Sequence, residues 1–233
     1  MEITDAVIKE RLERVRGEIS CALDRSGRSA SEVRMLVASK YYSPEQVSIL
    51  KDAGVTLLGE NKSDDLAEKQ QLFGDDFEWH FIGHLQRRKA REVVPRVSLI
   101  HSVDSQRLIE ELAKRAPEEG VDALLQVNVS GEEAKYGASE SEVERLLEEA
   151  AATEGVVRVR GFMTIAPQVE DPEDVRYVFA KLAAIRDSLR GVWASHFDLS
   201  ELSMGMSVDY PVAIEEGATL LRIGRTLIER GGT

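Results

Sequence analysis

The sequence predicts a (β/α)8 barrel, an α/β fold in a single domain with an extra N-terminal helix. Three observations carry the prediction. Eight short β-rich runs alternate with stretches of helical spacing. Several of those runs are apolar throughout, as strands covered on both faces must be. No GxGxxG or GxxxxGK[ST] turn occurs, whereas an open doubly wound sheet would normally show a Gly-rich first turn. The 233 residues are close to the roughly 250 that such barrels use.

The chain opens on an apolar stripe at helical spacing, Ile3, Val7, Ile8, Leu12, Val15, Ile19 and Leu23, stopped by Ser26-Gly27. The first strand is predicted over Arg34–Ser39. Ser43-Pro44-Glu45 then supplies a Ser N-cap with Pro at the first helical position, and Gly54 closes that helix. Strands follow at Val55–Gly59, Glu78–Gly83 and Ser98–Val103. Asp104-Ser105 opens a helix over Gln106–Arg115, with Leu108, Ile109 and Leu112 on one face. A fifth strand at Ala123–Val129 precedes a helix over Ser139–Ala152 marked by Val143, Leu146 and Leu147. After a sixth strand, Val156–Phe162, Asp171-Pro172 starts a helix through Val175, Val178, Leu182, Ile185 and Leu189. Strands at Leu199–Met204 and Thr219–Gly224 complete the eight, and TLIER (226–230) is predicted as the final helix. No repeat, low-complexity tract or long linker divides the chain.

Composition narrows the functional classes. Lys and Arg number 30 against 42 Asp and Glu, a net charge of −12, so no nucleic-acid partner is expected. The 42% hydrophobic and 31% charged residues are those of an ordinary globule. One cysteine, Cys21, cannot form an internal disulfide, which suits the cytoplasm. Cys21, between Ile19 and Leu23, reads as a packing or partly exposed residue, and the acidic helix surfaces as a source of solubility. The first residues alternate charge with apolar groups, so neither a signal peptide nor a membrane anchor is expected. No large uninterrupted apolar surface is evident, and a monomer is expected. His80 and His84 stand about 13 Å apart along a strand, and His101 and His196 lack a ligand pattern, so no metal site is expected.

In a barrel of this kind chemistry sits at the C-terminal ends of the strands. The segment SMGMS (203–207) offers two hydroxyls, while Gly205 and Gly224 let backbone approach an anion. The N–H groups around Gly224-Arg225 would open the last helix toward it. Leu36, Ala38 and Lys40 share one face of the first strand, so Lys40 would point into the mouth, lose solvation and become a Schiff-base nucleophile. Leu220, Arg222 and Gly224 share one face of the last strand, so a buried Arg222 would need an acceptor. The residues also admit plainer readings: turn glycines, a lysine reaching solvent and a surface salt bridge. Strands 1 and 8 adjoin in a barrel. Lys40, Arg222 and the Gly224 turn can therefore converge on one ligand bearing an aldehyde, a ring acceptor and a phosphate. Pyridoxal 5′-phosphate (PLP) has all three.

Eight blocks carry a family resemblance: LVASKYYSPEQV (36–47), LLGENK (57–62), WHFIGHLQRRK (79–89), IHSVDS (100–105), LLQVNVSGEEAKYG (124–137), RGFMTIAP (160–167), LSMGMSVDY (202–210) and LRIGR (221–225). Over nearly its whole length the chain resembles the pyridoxal phosphate homeostasis proteins, the YggS/PROSC-like family of fold-type-III PLP-binding barrels related to the alanine racemase N-terminal domain. The resemblance implies that Lys40 holds PLP as an aldimine and that Arg222 faces the pyridine nitrogen. It also implies that Ser203, Gly224 and the main chain of Arg225 bind the phosphate. Asn61 and Met204 match pocket-lining positions, and His84 matches one at the mouth. The chain departs from the family pattern in having Arg225 where many relatives have Thr, Arg88 in a usual Asn position, and Asp64-Asp65 for Gln-Glu.

The function expected is PLP carrying and homeostasis, not turnover. Expected partners are PLP, other B6 vitamers and recipient apo-enzymes. An arginine at the ring nitrogen leaves that nitrogen unprotonated and weakens the electron sink. The first alternative is an amino-acid racemase, which needs a second acid–base group opposite the lysine. That group is usually a Tyr from another domain or subunit, and nine residues after Gly224 leave no room for such a domain. The second alternative is a PLP-free barrel forming a Schiff base with a sugar phosphate, which would have no need of Arg222.

Overall fold

The computed structural model describes residues 5–132 and 135–228. Eight parallel strands hydrogen-bond in chain order and close on themselves. They are β1 (Arg34–Ala38), β2 (Leu57–Glu60), β3 (Glu78–Phe81), β4 (Leu99–Val103), β5 (Val121–Gln126), β6 (Val157–Met163), β7 (Glu201–Ser203) and β8 (Leu220–Ile223). Each overlaps a predicted run, with ends displaced by at most three residues. The largest shift is in β5, which begins earlier to pair Val121 with Val157 on β6 and ends before Val127, whose bridge to Ala138 lies outside the barrel ladder.

The helices are α1 (Asp5–Ser26), α2 (Pro44–Asp52), α3 (Ser63–Phe73), α4 (Ala90–Val93), α5 (Gln106–Arg115), α6 (Val143–Ala151), α7 (Arg176–Arg190) and α8 (Tyr210–Glu215). Ser43 caps α2 through the Gln46 N–H, and Asp171 caps the short turn that leads into α7. Along α1, Ile8, Leu12, Val15 and Leu23 are buried and Ile19 is partly so; Ile3 lies outside the described residues. Arg28, just past α1, donates to the carbonyls of Ile214 and Ala218 and ties the helix to the α8 region. Three helices escape the periodicity argument. The inward positions of α3 include the polar Ser63 and Lys69, while α4 and α8 are too short to show a stripe. The predicted final helix is a single 3-10 turn, Arg225–Leu227; Glu229 and Arg230 lie outside the described residues.

Two cores result. A large one fills the space between strands and helices. A small one, Leu36, Leu57, Leu99, Leu124, Met163 and Leu220 with Ile82 against it, plugs the barrel itself. These are the inward residues of their strands by the period of two, and they fix the phase of everything polar that shares the interior.

Candidate functional site

β1 pairs with β8 so that Leu36 lies beside Arg222 and Val37 beside Ile223. Gly224 follows, and a Cβ there would stand 3.0 Å from the Tyr41 ring and 3.2 Å from the Ala38 Cβ. A residue without a side chain lets the β8 turn close onto the turn carrying Lys40. Gly205 is required for a different reason. Its φ is +89°, and a Cβ would come within 2.7 Å of the Ala213 Cβ on α8.

Lys40 departs from the expected phase. β1 ends at Ala38, and Ser39–Tyr41 form a 3-10 turn, so the alternation stops short of Lys40. The side chain is exposed, with Nζ 4.7 Å from the centroid of the Tyr41 ring. The expected burial is absent: the amine is exposed, on the turn whose Tyr41 ring lies against Gly224. Its base is firm, because the fully buried Ser39 donates through Oγ to Glu60 Oε1 (2.7 Å). Lys69 on α3 donates to the Ser39 carbonyl (2.6 Å) and to the same carboxylate oxygen (2.5 Å).

Arg222 points into the barrel and is 5% exposed. Nη1 donates to Ser203 Oγ (2.6 Å) and Nη2 to the Thr164 carbonyl (2.8 Å). Burial pushes the guanidinium down to about 10, with Asp209 opposing the shift. Among the described residues no carboxylate is ion-paired to it, and Asp209 acts on it only from beyond contact. Ser203, expected at a phosphate, is fully buried and engaged inside the barrel with Arg222 and His101. Ser207 is the hydroxyl at the mouth. Its Oγ lies 3.4 Å from the Thr226 N–H and its carbonyl accepts from Thr226 Oγ1 (2.7 Å), lacing the β7 loop to the β8 turn. Ser207 and the exposed Arg225 line a cavity of 220 Å³ with Gln168 and Met206. Among the described residues a single 3-10 turn follows Gly224, which offers an anion individual N–H groups and no developed helix dipole.

The remaining candidates divide. Asn61 and His84 line a cavity of 250 Å³ at the ends of β2 and β3. The buried Oδ1 of Asn61 lacks a hydrogen-bond partner among the described residues. His84 stacks on Tyr136, ring centroids 3.9 Å apart. Met204 is fully buried in the outer core, so its side chain does not face the mouth.

Sequence reasoning missed a polar column beneath Arg222. His101 Nδ1 lies 2.8 Å from Ser203 Oγ, and His101 Nε2 lies 2.9 Å from His80 Nδ1. His80 Nε2 lies 2.8 Å from Glu78 Oε1, at the opposite end of the barrel. The signal was available: His80 shares the inward phase of Ile82, His101 that of Leu99, and Arg222 that of Leu220. Among the described residues no group of three or more His, Cys, Asp or Glu could hold a metal ion. Nor is any described helix long and apolar enough to cross a membrane. Cys21 is exposed.

Residues 13–228 match the family model described as the alanine racemase N-terminal domain. The pyridoxal phosphate homeostasis protein of Aquifex aeolicus is 42% identical over 221 residues, 94% of this chain and 96% of that one. The chain belongs to the pyridoxal phosphate homeostasis protein family. The homeostasis protein of Escherichia coli K12 is 33% identical over 226 residues, covering 94% of this chain and 95% of its own. Among solved structures, PipY of Synechococcus elongatus PCC7942, determined with PLP bound, matches at a TM-score of 0.81 and 31% identity over 95% of this chain and all of its own. Alanine racemase from Corynebacterium glutamicum matches at 0.68 and 12% identity over 98% of this chain and 63% of its own, a likeness of fold.

Within this homeostasis-protein barrel the departures from the family pattern fall at the rim. Arg225 is exposed beside the 220 Å³ cavity, and Arg88 donates to Gln86 Oε1 (3.0 Å). Asp64 receives Lys89 (3.0 Å). None alters the column beneath Arg222.

That column is expected to cost the protein stability toward acid. Burial lowers His80, against the pull of Glu78, and holds His101 well below its ordinary value. On unfolding both rings take up protons near pH 6.5, which the folded state refuses, so stability falls as pH drops through that value. The expected slope is about 1.4 kcal/mol per pH unit for each ring. Glu78, held at about 2 chiefly by its hydrogen bond from His80, adds a loss only between its unfolded value near 4.5 and that level. Urea unfolding at pH 7.5, 6.5 and 5.5 reads the slope. A flat profile, or one unchanged in His101→Gln, would contradict it.

Proposed function

We propose that this chain binds PLP at the mouth formed by β1, β7 and β8, holds it covalently as a Schiff base on Lys40, and serves PLP homeostasis by carrying the cofactor without turnover of its own. One observation carries the reading: Arg222 is a buried guanidinium with no ion-paired carboxylate among the described residues, beside the contact between the Lys40 turn and Gly224. The orphaned Oδ1 of Asn61 adds a second unmet bond at the rim. PLP supplies an aldehyde that an amine captures and a pyridine ring whose electron-withdrawing power depends on a proton at the ring nitrogen.

The chain's own residues divide the work. Lys40 is the capturing amine, exposed and on a turn fixed by Ser39, Glu60 and Lys69. Arg222 donates to the ring nitrogen; a guanidinium does not give up its proton at neutral pH, so that nitrogen stays unprotonated and carbanion chemistry is disfavoured. Ser207, Gly224 and the main chain of Arg225 and Thr226 receive the phosphate, while Ser203 serves Arg222. Asn61 and His84 line the approach, and Met204 contributes main chain alone. The chain acts as a single-domain monomer in the cytoplasm, exchanging PLP and other B6 vitamers with apo-enzymes.

Titration of the purified protein with PLP is expected to give visible absorbance saturating at one PLP per chain, with a borohydride-fixed adduct in the Lys40 peptide. A protein that stays colourless overturns the reading in favour of a PLP-free barrel. An adduct on Lys51, Lys62 or Lys89 overturns the site. Racemisation of amino acids at ordinary enzyme rates would replace the carrier by the racemase.

A further inference from the structure

With both imidazoles neutral, the contacts in the polar column fix the hydrogen directions. A guanidinium has donors and no acceptor, so at the Arg222–Ser203 contact Ser203 Oγ accepts. The single hydroxyl hydrogen then goes to its other partner, His101 Nδ1, which must be bare. A neutral His101 carries its hydrogen on Nε2 and donates to His80 Nδ1, also bare. His80 carries its hydrogen on Nε2 and donates to the Glu78 carboxylate. Reversal fails at both ends. Ser203 Oγ would accept twice with no acceptor for its own hydrogen, and a bare His80 Nε2 would face a carboxylate, lone pair against lone pair.

We propose that Ser203, His101, His80 and Glu78 form a one-way hydrogen-bond relay that positions Arg222, with both imidazoles neutral and protonated on Nε2. The relay is anchored at the far end, where Ser98 Oγ (3.1 Å) and Arg34 (3.4 Å) also donate to Glu78. Its members His80, His101 and Ser203 are fully buried. Each donor is polarised by the next toward the terminal anion, so Ser203 Oγ is a stronger acceptor than an isolated hydroxyl. With Thr164 carbonyl as the second anchor, two of the five N–H groups of the guanidinium are fixed, and others remain for a ligand at the mouth. A negative charge at one end of the barrel thus helps hold the cation at the other end without touching it. The hydrogen directions follow from the contact geometry once both rings are neutral; the consequence for the cofactor rests on the PLP reading.

Two measurements test the relay separately from that reading. Nitrogen-15 NMR of the ligand-free protein at pH 7.5 is expected to show His80 and His101 as neutral Nε2–H rings; an imidazolium or an Nδ1–H ring at either position overturns the proposal. In PLP titrations, Ser203→Ala and His101→Phe are expected to weaken binding by about tenfold or more, since a hydrogen bond to a charged group is lost or loosened. Both are also expected to move the visible absorption maximum. His101→Gln, whose amide can accept from Ser203 and donate to His80, is expected to recover both properties. A folded Ser203→Ala with wild-type affinity and spectrum overturns the positioning role. Should His101→Phe fail to fold, Ser203→Ala decides. A wild-type protein that binds no PLP sinks the functional reading and the positioning role together, leaving the hydrogen directions to the NMR result.

Discussion

Lys40→Ala is expected to abolish borohydride-fixed incorporation of PLP entirely and to remove the visible band. The variant is also expected to keep weak, reversible binding through Arg222 and the Gly224 turn, at least about a hundredfold looser than wild type, about 2.7 kcal/mol. The fold should be untouched, because the side chain is exposed, with its ammonium over the face of Tyr41; surface changes of this kind typically fall within about 0.5 kcal/mol. Lys40→Arg separates charge from nucleophilicity: the cation over Tyr41 is retained and the capturing amine is gone, so fixation is expected to vanish there too. Mass spectrometry after reduction, beside urea unfolding of each variant, gives both readouts. Incorporation persisting in Lys40→Ala would transfer the role to another amine.

The parts of this molecule that were legible in the sequence are those governed by alternation and capping. Leu36, Leu99 and Leu220 set the inward phase of their strands, Ser43 and Asp171 mark helix starts, and the eight-fold alternation follows. What resisted reading has specific physical causes. α3 is hidden because two of its inward positions are Ser63 and Lys69, polar residues that bond to Glu92 and Glu60 outside the helix. The period of two does not place Lys40, because the strand ends at Ala38 and Lys40 lies in a 3-10 turn. The two hydroxyls of SMGMS read alike as donors to an anion, whereas strand phase sets Ser203 beside Arg222 and Ser207 reaches the β8 turn. The His80–His101 contact needs two facts together, that both share the inward phase and that β3 and β4 adjoin; either histidine alone looks like a core residue.

The buried ion pair under the Lys40 turn carries the largest stability effect expected here. Glu60 is fully buried and Lys69 is 8% exposed along its side chain. Glu60 also accepts from Ser39 Oγ and from the Asn61 N–H (3.3 Å), so both its oxygens have partners. Lys69→Met would leave that carboxylate uncompensated away from water, and removing one partner of a buried pair costs about 3–5 kcal/mol. Glu60→Leu, the complementary change, would strand the ammonium with the Ser39 carbonyl as its recorded acceptor, at similar cost. The double variant is expected to regain most of the loss, because apolar groups of similar volume pack where two charges had to be desolvated. Stability and site should then separate. With Lys69 absent, the Ser39 carbonyl loses its donor, so the turn presenting Lys40 is less firmly held even in the restabilised protein. PLP affinity is therefore expected to stay about tenfold below wild type in the double variant, about 1.4 kcal/mol, while its urea midpoint returns toward the wild-type value. Single variants each losing less than about 1 kcal/mol would show that the pair is not the buried, mutually dependent unit its geometry describes.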